Sequence, residues 1–161
     1  MGYNLHEEAP RVLVVDDEKV IREILSDFLT MEGFLVRTVE DGEAALAELK
    51  RRSYNLVISE LKMPNMGGLD LLRRIKGAGH ATVVVIMTGF ATVETAIEAL
   101  KVGAYDYILK PFKVGELLQV VDRALEKVRL EAENLQLKEQ LSLLRLSEAM
   151  GSSLSLDQVL E

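Results

Sequence analysis

Two adjacent carboxylates, Asp16 and Asp17, follow the apolar run VLVV, and a third, Glu60, follows LVIS. Thr88 closes TVVVIM in the same way, and Lys110 closes YDYIL. Each of these groups stands just after a short apolar segment. If the segments are parallel strands, all five groups meet at one edge, because open α/β sheets bind ligands outside the carboxyl ends of their strands. Three carboxylates a few Å apart repel, and without a counter-ion at least one tends to take up a proton. A hard divalent cation resolves the conflict, and Mg²⁺ with one or two carboxylates and retained waters is the usual solution with oxygen ligands. Lys110 adds positive charge opposite, and Thr88 adds a hydroxyl. A metal ion, an ammonium, a hydroxyl and backbone amides around one point form a phosphoryl-binding site. Singly, each residue has a plainer reading: Asp17, before a helix, could be only an N-cap. Their joint placement on four strand ends is not explained by capping. Gly67 and Gly68 lie outside any GxxxxGK[ST] loop and read as a tight turn into a helix. His6 and His80 fall in tail and loop positions, and the scattered Met residues read as core filling.

The positioning elements are legible as an alternation of short apolar runs with segments of helical period, the pattern of βα units around a parallel sheet. The runs are VLVV (12–15), FLVRTV (34–39), NLVI (55–58), TVVVIM (82–87) and YDYIL (105–109). Between them, helical stripes are expected at Val20, Ile21, Ile24, Leu25, Phe28 and Leu29, closed by Gly33, and at Ala44, Ala45 and Leu49. Further stripes are Leu69, Leu72 and Ile75, ending at Gly77, and Val93, Ala96, Ile97 and Leu100, ending at Gly103. A fifth helix starts after Pro111 with Val114, Leu117, Leu118, Val121 and Leu125. The expected fold is α/β: a doubly wound, five-stranded parallel sheet of five βα units.

No Pro or Gly interrupts residues 117–150, so the fifth helix should outrun the core. Leu130, Asn134, Leu137, Leu141 and Leu144 alternate spacings of four and three, a short heptad seam. Asn at an a position favours a parallel homodimer in fixed register, although one amphipathic helix lying on its own domain would show a similar stripe. A break is expected at Gly151, then a capping box of Ser155 and Gln158 opening a helix with Leu156, Val159 and Leu160. The chain thus divides into a tail (1–10), an α/β domain (11–127), a helical coiled-coil linker (128–150) and the start of a following, truncated domain (151–161).

The 161 residues carry a net charge of −7, no Trp and only 5% aromatics, which argues against nucleic-acid binding through this fragment. No apolar run reaches the roughly 18 residues of a membrane span, and the polar, acidic start is not a signal peptide. The absence of Cys excludes thiol chemistry and fits a reducing, cytoplasmic setting.

VLVVDDE, LVISELKMPNMGGLDLL and VIMTGFATVETAIEALKVGAYDYILKPF, five blocks in order, resemble a response-regulator receiver domain of two-component signalling, with the match covering about residues 11–127. The resemblance implies the flavodoxin-like fold, Mg²⁺ as cofactor, and a histidine kinase or phosphotransfer protein as phosphoryl source. It also implies roles. Asp16 and Asp17 would hold Mg²⁺ with the Lys62 carbonyl and the carboxylate at position 60; Thr88 would bond the phosphoryl group, Lys110 would pair with it, and Tyr107 would turn inward on activation. Pro111 matches a position where a cis peptide is common. The family pattern has Asp at position 60, and this chain has Glu60. One extra methylene displaces the carboxylate, and about 1 Å of misplacement can cost on the order of a hundredfold in rate. It also carries negative charge toward the place of a phosphoryl group, as −1 rather than about −2. The residue could imitate phosphorylation, block it, or accept slowly. LRLSEAMGSSLSLDQVLE is similar to the opening of GAF-type sensory domains, implying an output domain beyond this chain. The rival classes are a Mg²⁺-dependent phosphohydrolase, whose usual DxD contrasts with the adjacent Asp16 and Asp17, and a non-phosphorylated dimerisation module.

Overall fold

The computed structural model describes residues 8–89 and 92–160, without the side chains of 152–160. Five strands alternate with five helices: β1 (Arg11–Val15), α1 (Lys19–Met31), β2 (Leu35–Val39), α2 (Gly42–Arg51), β3 (Leu56–Glu60), α3 (Gly68–Gly77), β4 (Val83–Thr88), α4 (Val93–Val102), β5 (Asp106–Leu109) and α5 (Val114–Leu160). All pairings are parallel, in the order β2-β1-β3-β4-β5. The winding direction reverses between β1 and β3, and that switch point is where such sheets bind ligands.

The central strands are buried on both faces, which explains their nearly unbroken Val, Leu and Ile content. Leu13, Val15, Val57, Val84 and Ile86 pack on one face with Leu71, Leu72 and Ile75 of α3 and Ala45 and Leu49 of α2. By strand alternation Val12, Val14, Ile58 and Val85 turn to the opposite face. The remaining helices bury Leu25 and Leu29 from α1 and Leu117, Val121 and Ala124 from α5.

Local chemistry fixes several helix ends. The Asp41 carboxylate accepts from the Ala44 amide at 2.8 Å and caps α2, while Thr92 and Thr95 form a reciprocal box at the start of α4. Gly33 and Gly103 take φ of 95° and 122° after α1 and α4, as their stop positions require. α3 ends at Gly77 as expected, with Ala78 as its cap and Gly79, two residues on, in the positive-φ position.

Some expected stripes are displaced. In α1, Val20 and Ile24 are exposed; in α4, Val93, Ile97 and Leu100 are exposed, and the buried residue is Ala99. α4 packs against α3 and β5 at the end of the sheet, where a small side chain permits close approach, and a stripe chosen by apolar type overlooks it. Val114 is likewise exposed.

The chain divides into two compact units, the first ending at Glu126 and the second beginning at Lys127. The break expected at Gly151 does not occur, since α5 continues to Leu160. A glycine inside a helix costs about 1 kcal/mol relative to alanine, and with no proline nearby that is too little to end one. The boundary expected at 150 is therefore not a helix boundary. Ser155 and Gln158 lie within α5; their side chains, with those of Leu156, Val159 and Leu160, lie outside the described residues, as does His6. Every residue from 131 to 151 is exposed, including the seam positions Asn134, Leu137, Leu141 and Leu144; Leu130 is exposed too. Among the described residues no helix is long and apolar enough to cross a membrane.

Candidate functional site

The carboxyl ends of β1, β3, β4 and β5 bring four of the expected groups together. The register Val15↔Ser59, Glu60↔Met87 and Thr88↔Leu109 levels the strand ends, so the residues that follow or close them share one edge. Asp16 and Thr88 have no exposed surface and Glu60 is 3% exposed. The Lys110 ammonium lies 2.7 Å from Asp16 Oδ2 and 2.9 Å from Glu60 Oε2, bridging the two carboxylates. Thr88 Oγ1 donates to Glu60 Oε1 at 2.8 Å. Asp16 is further held by the Glu18 amide, which donates to Oδ1 at 2.9 Å, and its carbonyl accepts from the Arg22 guanidinium at 2.7 Å.

Lys110 donates its hydrogen bond to Asp16, whereas Glu60 Oε2 has none among the described residues despite the short ion-pair distance. Direction accounts for the difference: the Coulomb attraction to Oε2 survives misalignment and the hydrogen bond does not. Burial alone pulls the Lys110 pKa down, but the contacts with Asp16 and Glu60 outweigh it, and the net shift is upward. The ammonium stays charged and partly neutralises two buried acids.

Asp17, next to Asp16, lies at the exposed rim of the group rather than among its buried side chains. Its side chain is exposed where the chain leaves β1. Among the described residues no set of three or more acidic or His side chains is arranged to hold a metal, so the expected convergence of three carboxylates reduces to two. Lys62 is exposed in the turn after β3. Tyr107, paired in register with Ile86, is half-buried against the core, and its hydroxyl is buried with no hydrogen-bond partner among the described residues. The Lys110–Pro111 peptide is cis.

Sequence reasoning missed two supports. The first is Gly68, treated above as part of a tight turn. Its amide donates to the Leu61 carbonyl at 2.8 Å, and a Cβ there would lie 2.3 Å from the Glu60 carbonyl oxygen. Only glycine lets the start of α3 approach the end of β3 this closely. The second is Arg22, one turn into α1, whose spacing from Asp16 carries no signal in the sequence.

The sequence profile described as the response regulator receiver domain matches residues 12–122. The chain belongs to this family. Receiver domains are signalling modules of two-component phosphorelay systems rather than enzymes, which removes the phosphohydrolase reading. The receiver is similar to the regulatory protein AtoC of Escherichia coli (37% identical over 82% of this chain and 29% of that protein). It is also similar to the nitrogen assimilation regulatory protein NtrX of Azorhizobium caulinodans (40% over 80% of this chain and 29% of that protein). Among solved structures, NtrX from Brucella abortus matches with TM-score 0.76 and 39% identity over 81% of this chain and 30% of that one. The signal receiver domain of a putative LuxO repressor protein from Vibrio parahaemolyticus matches with TM-score 0.75 and 30% identity, over 78% and 96%. The chain spans less than a third of the length of the curated relatives it matches.

Receiver domains generally use Mg²⁺ for phosphotransfer. The donors at this edge are hard oxygens, and Glu60 Oε2 is a buried carboxylate oxygen with bonding capacity to spare. Such a set fits Mg²⁺ held by one or two carboxylates with water completing its shell, and does not form an all-protein cage.

Proposed function

We propose that this receiver is held in its switched state by Glu60, whose carboxylate stands in for a phosphoryl group. The observation that carries the reading is the pair of contacts at the carboxylate: Thr88 at 2.8 Å on one oxygen and Lys110 at 2.9 Å on the other. These are the hydroxyl and the ammonium that the family resemblance assigns to the phosphoryl group. Both are engaged here by the side chain at position 60. The buried Tyr107 hydroxyl fits the inward position expected of that residue on activation. Asp16 and Asp17, with the Lys62 carbonyl, are the residues that would hold Mg²⁺, which when bound neutralises phosphoryl oxygens during transfer. Asp16 keeps Lys110 charged and in place, and Gly68 keeps the backbone of Glu60 against α3. A histidine kinase or phosphotransfer protein is the donor a working acceptor here would use.

The state of the site reaches the output through the α4-β5-α5 face in this reading. Leu130, Asn134, Leu137, Leu141 and Leu144 then form the seam of a parallel homodimeric coiled coil. Glu133 and Lys138 flank it at positions that attract across parallel helices. Similarity to transcriptional regulators whose length this chain only partly spans supports a downstream output domain, as does the weaker GAF-type resemblance. The test is Glu60→Asp treated with acetyl phosphate and Mg²⁺. Intact-mass measurement should find one added phosphoryl group on the variant and none on the Glu60 chain. An unlabelled variant would mean that the rest of the acceptor site does not work.

A further inference from the structure

At the opposite edge of the sheet, four arginines gather in a chain whose net charge is −7. Arg11 opens β1, Arg37 lies in β2, and Arg51 and Arg52 stand at the end of α2. Arg37 Nε, Arg51 and Arg52 Nε approach one buried carboxylate, Glu48, at 3.6, 3.8 and 3.9 Å. Glu48 also accepts the Tyr54 hydroxyl at 2.7 Å. That hydrogen bond lowers its pKa; burial opposes this, and the three guanidinium charges reinforce it, so Glu48 stays ionised.

One carboxylate cannot balance three guanidinium groups, and the side chain of Arg11 makes no ion pair among the described residues. Arg37 and Arg52 are oriented through Nε, while their terminal nitrogens make no hydrogen bond among the described residues. Each therefore keeps a free two-pronged donor, the geometry that recognises phosphate and carboxylate in bidentate fashion. Arg11, Arg37 and Arg52, with Leu35, Val36 and Tyr54, line one open concavity of about 250 Å³. Sites for drug-sized ligands run from about 300 to 1,000 Å³, so the space suits a compact ligand.

We infer that this arginine-lined concavity is a binding site for a compact polyphosphate anion, separate from the acidic edge. Glu48 and Tyr54 act as the buried frame that orients the guanidinium groups, and Arg11 closes the open side. The inference does not depend on what Glu60 does.

The test is isothermal titration of the full chain with inorganic tripolyphosphate at about 0.1 M salt, with sulfate at equal ionic strength as control, alongside amide NMR shifts. The expected result is one site per chain, with shifts centred on Leu35, Val36 and Tyr54. Binding should weaken tenfold or more in Arg11→Glu, which breaks no ion pair, and in Arg37→Gln. Circular dichroism should find both variants folded. Absence of binding, equal binding of sulfate, affinity unchanged in Arg11→Glu, or shifts centred on Thr88 would each overturn the assignment.

Discussion

Replacing Lys110 by Met keeps most of the side-chain volume and removes the cation that bridges Asp16 and Glu60. At 2.7 and 2.9 Å each contact has a gross attraction of about 6 kcal/mol at an effective dielectric near 20. Most of that is offset by dehydrating three charged groups. What the substitution exposes is the uncompensated burial of two carboxylates, and loss of one partner from a buried pair costs about 3–5 kcal/mol. The Lys110 side chain is 15% exposed, so some water reaches the site and the lower end, about 3 kcal/mol, is expected. Glu60→Gln removes one of the two charges but leaves an oxygen for Thr88, and should cost about 1 kcal/mol. In the double variant only Asp16 is stranded. The two losses should then fall short of additivity by about 1–2 kcal/mol. Urea unfolding at pH 7 in EDTA measures all four chains. A Lys110→Met loss under about 1 kcal/mol, or strict additivity, would refute the claim that Lys110 is the counter-ion of both acids.

Two further perturbations follow from the same reasoning. The Glu48 carboxyl is held below its ordinary range, so its contribution to stability is full above pH 4.5 and is lost as pH falls further. The urea midpoint should therefore drop as pH falls below 4.5 more steeply in the parent chain than in Glu48→Gln; parallel curves would exclude a stabilising role for Glu48. If the seam makes the dimer, Leu137→Ser with Leu141→Ser should leave a monomer with an intact receiver by sedimentation velocity and circular dichroism. A dimer that survives both changes would place the interface elsewhere.

The strands and the core of the site were readable because their signals are local. Runs such as VLVV and TVVVIM are too apolar for anything but doubly covered strands, and parallel topology then sends Asp16, Glu60, Thr88 and Lys110 to one edge. What escaped was set by approach distance and direction. Ala99 rather than Leu100 is buried in α4 because of how closely the helix packs, and Asp17 is exposed while Asp16 beside it is buried. Gly151 looked like a stop because glycine is a weak helix former, but one glycine does not outweigh propagation from either side. The Glu48 network was invisible for a different reason: Arg37 and Tyr54 reach it from elements that only the fold brings together.

The most direct measurement of whether Glu60 imitates a phosphoryl group is the backbone amide NMR spectrum around Thr88, Tyr107 and Lys110 in three samples. These are the Glu60 chain, Glu60→Asp without phosphate, and Glu60→Asp labelled with acetyl phosphate and Mg²⁺. Imitation predicts that the Glu60 chain lies close to the labelled variant and apart from the unlabelled one. Coincidence of the Glu60 chain with unlabelled Glu60→Asp would contradict it, and would mean that Glu60 blocks the switch instead of holding it.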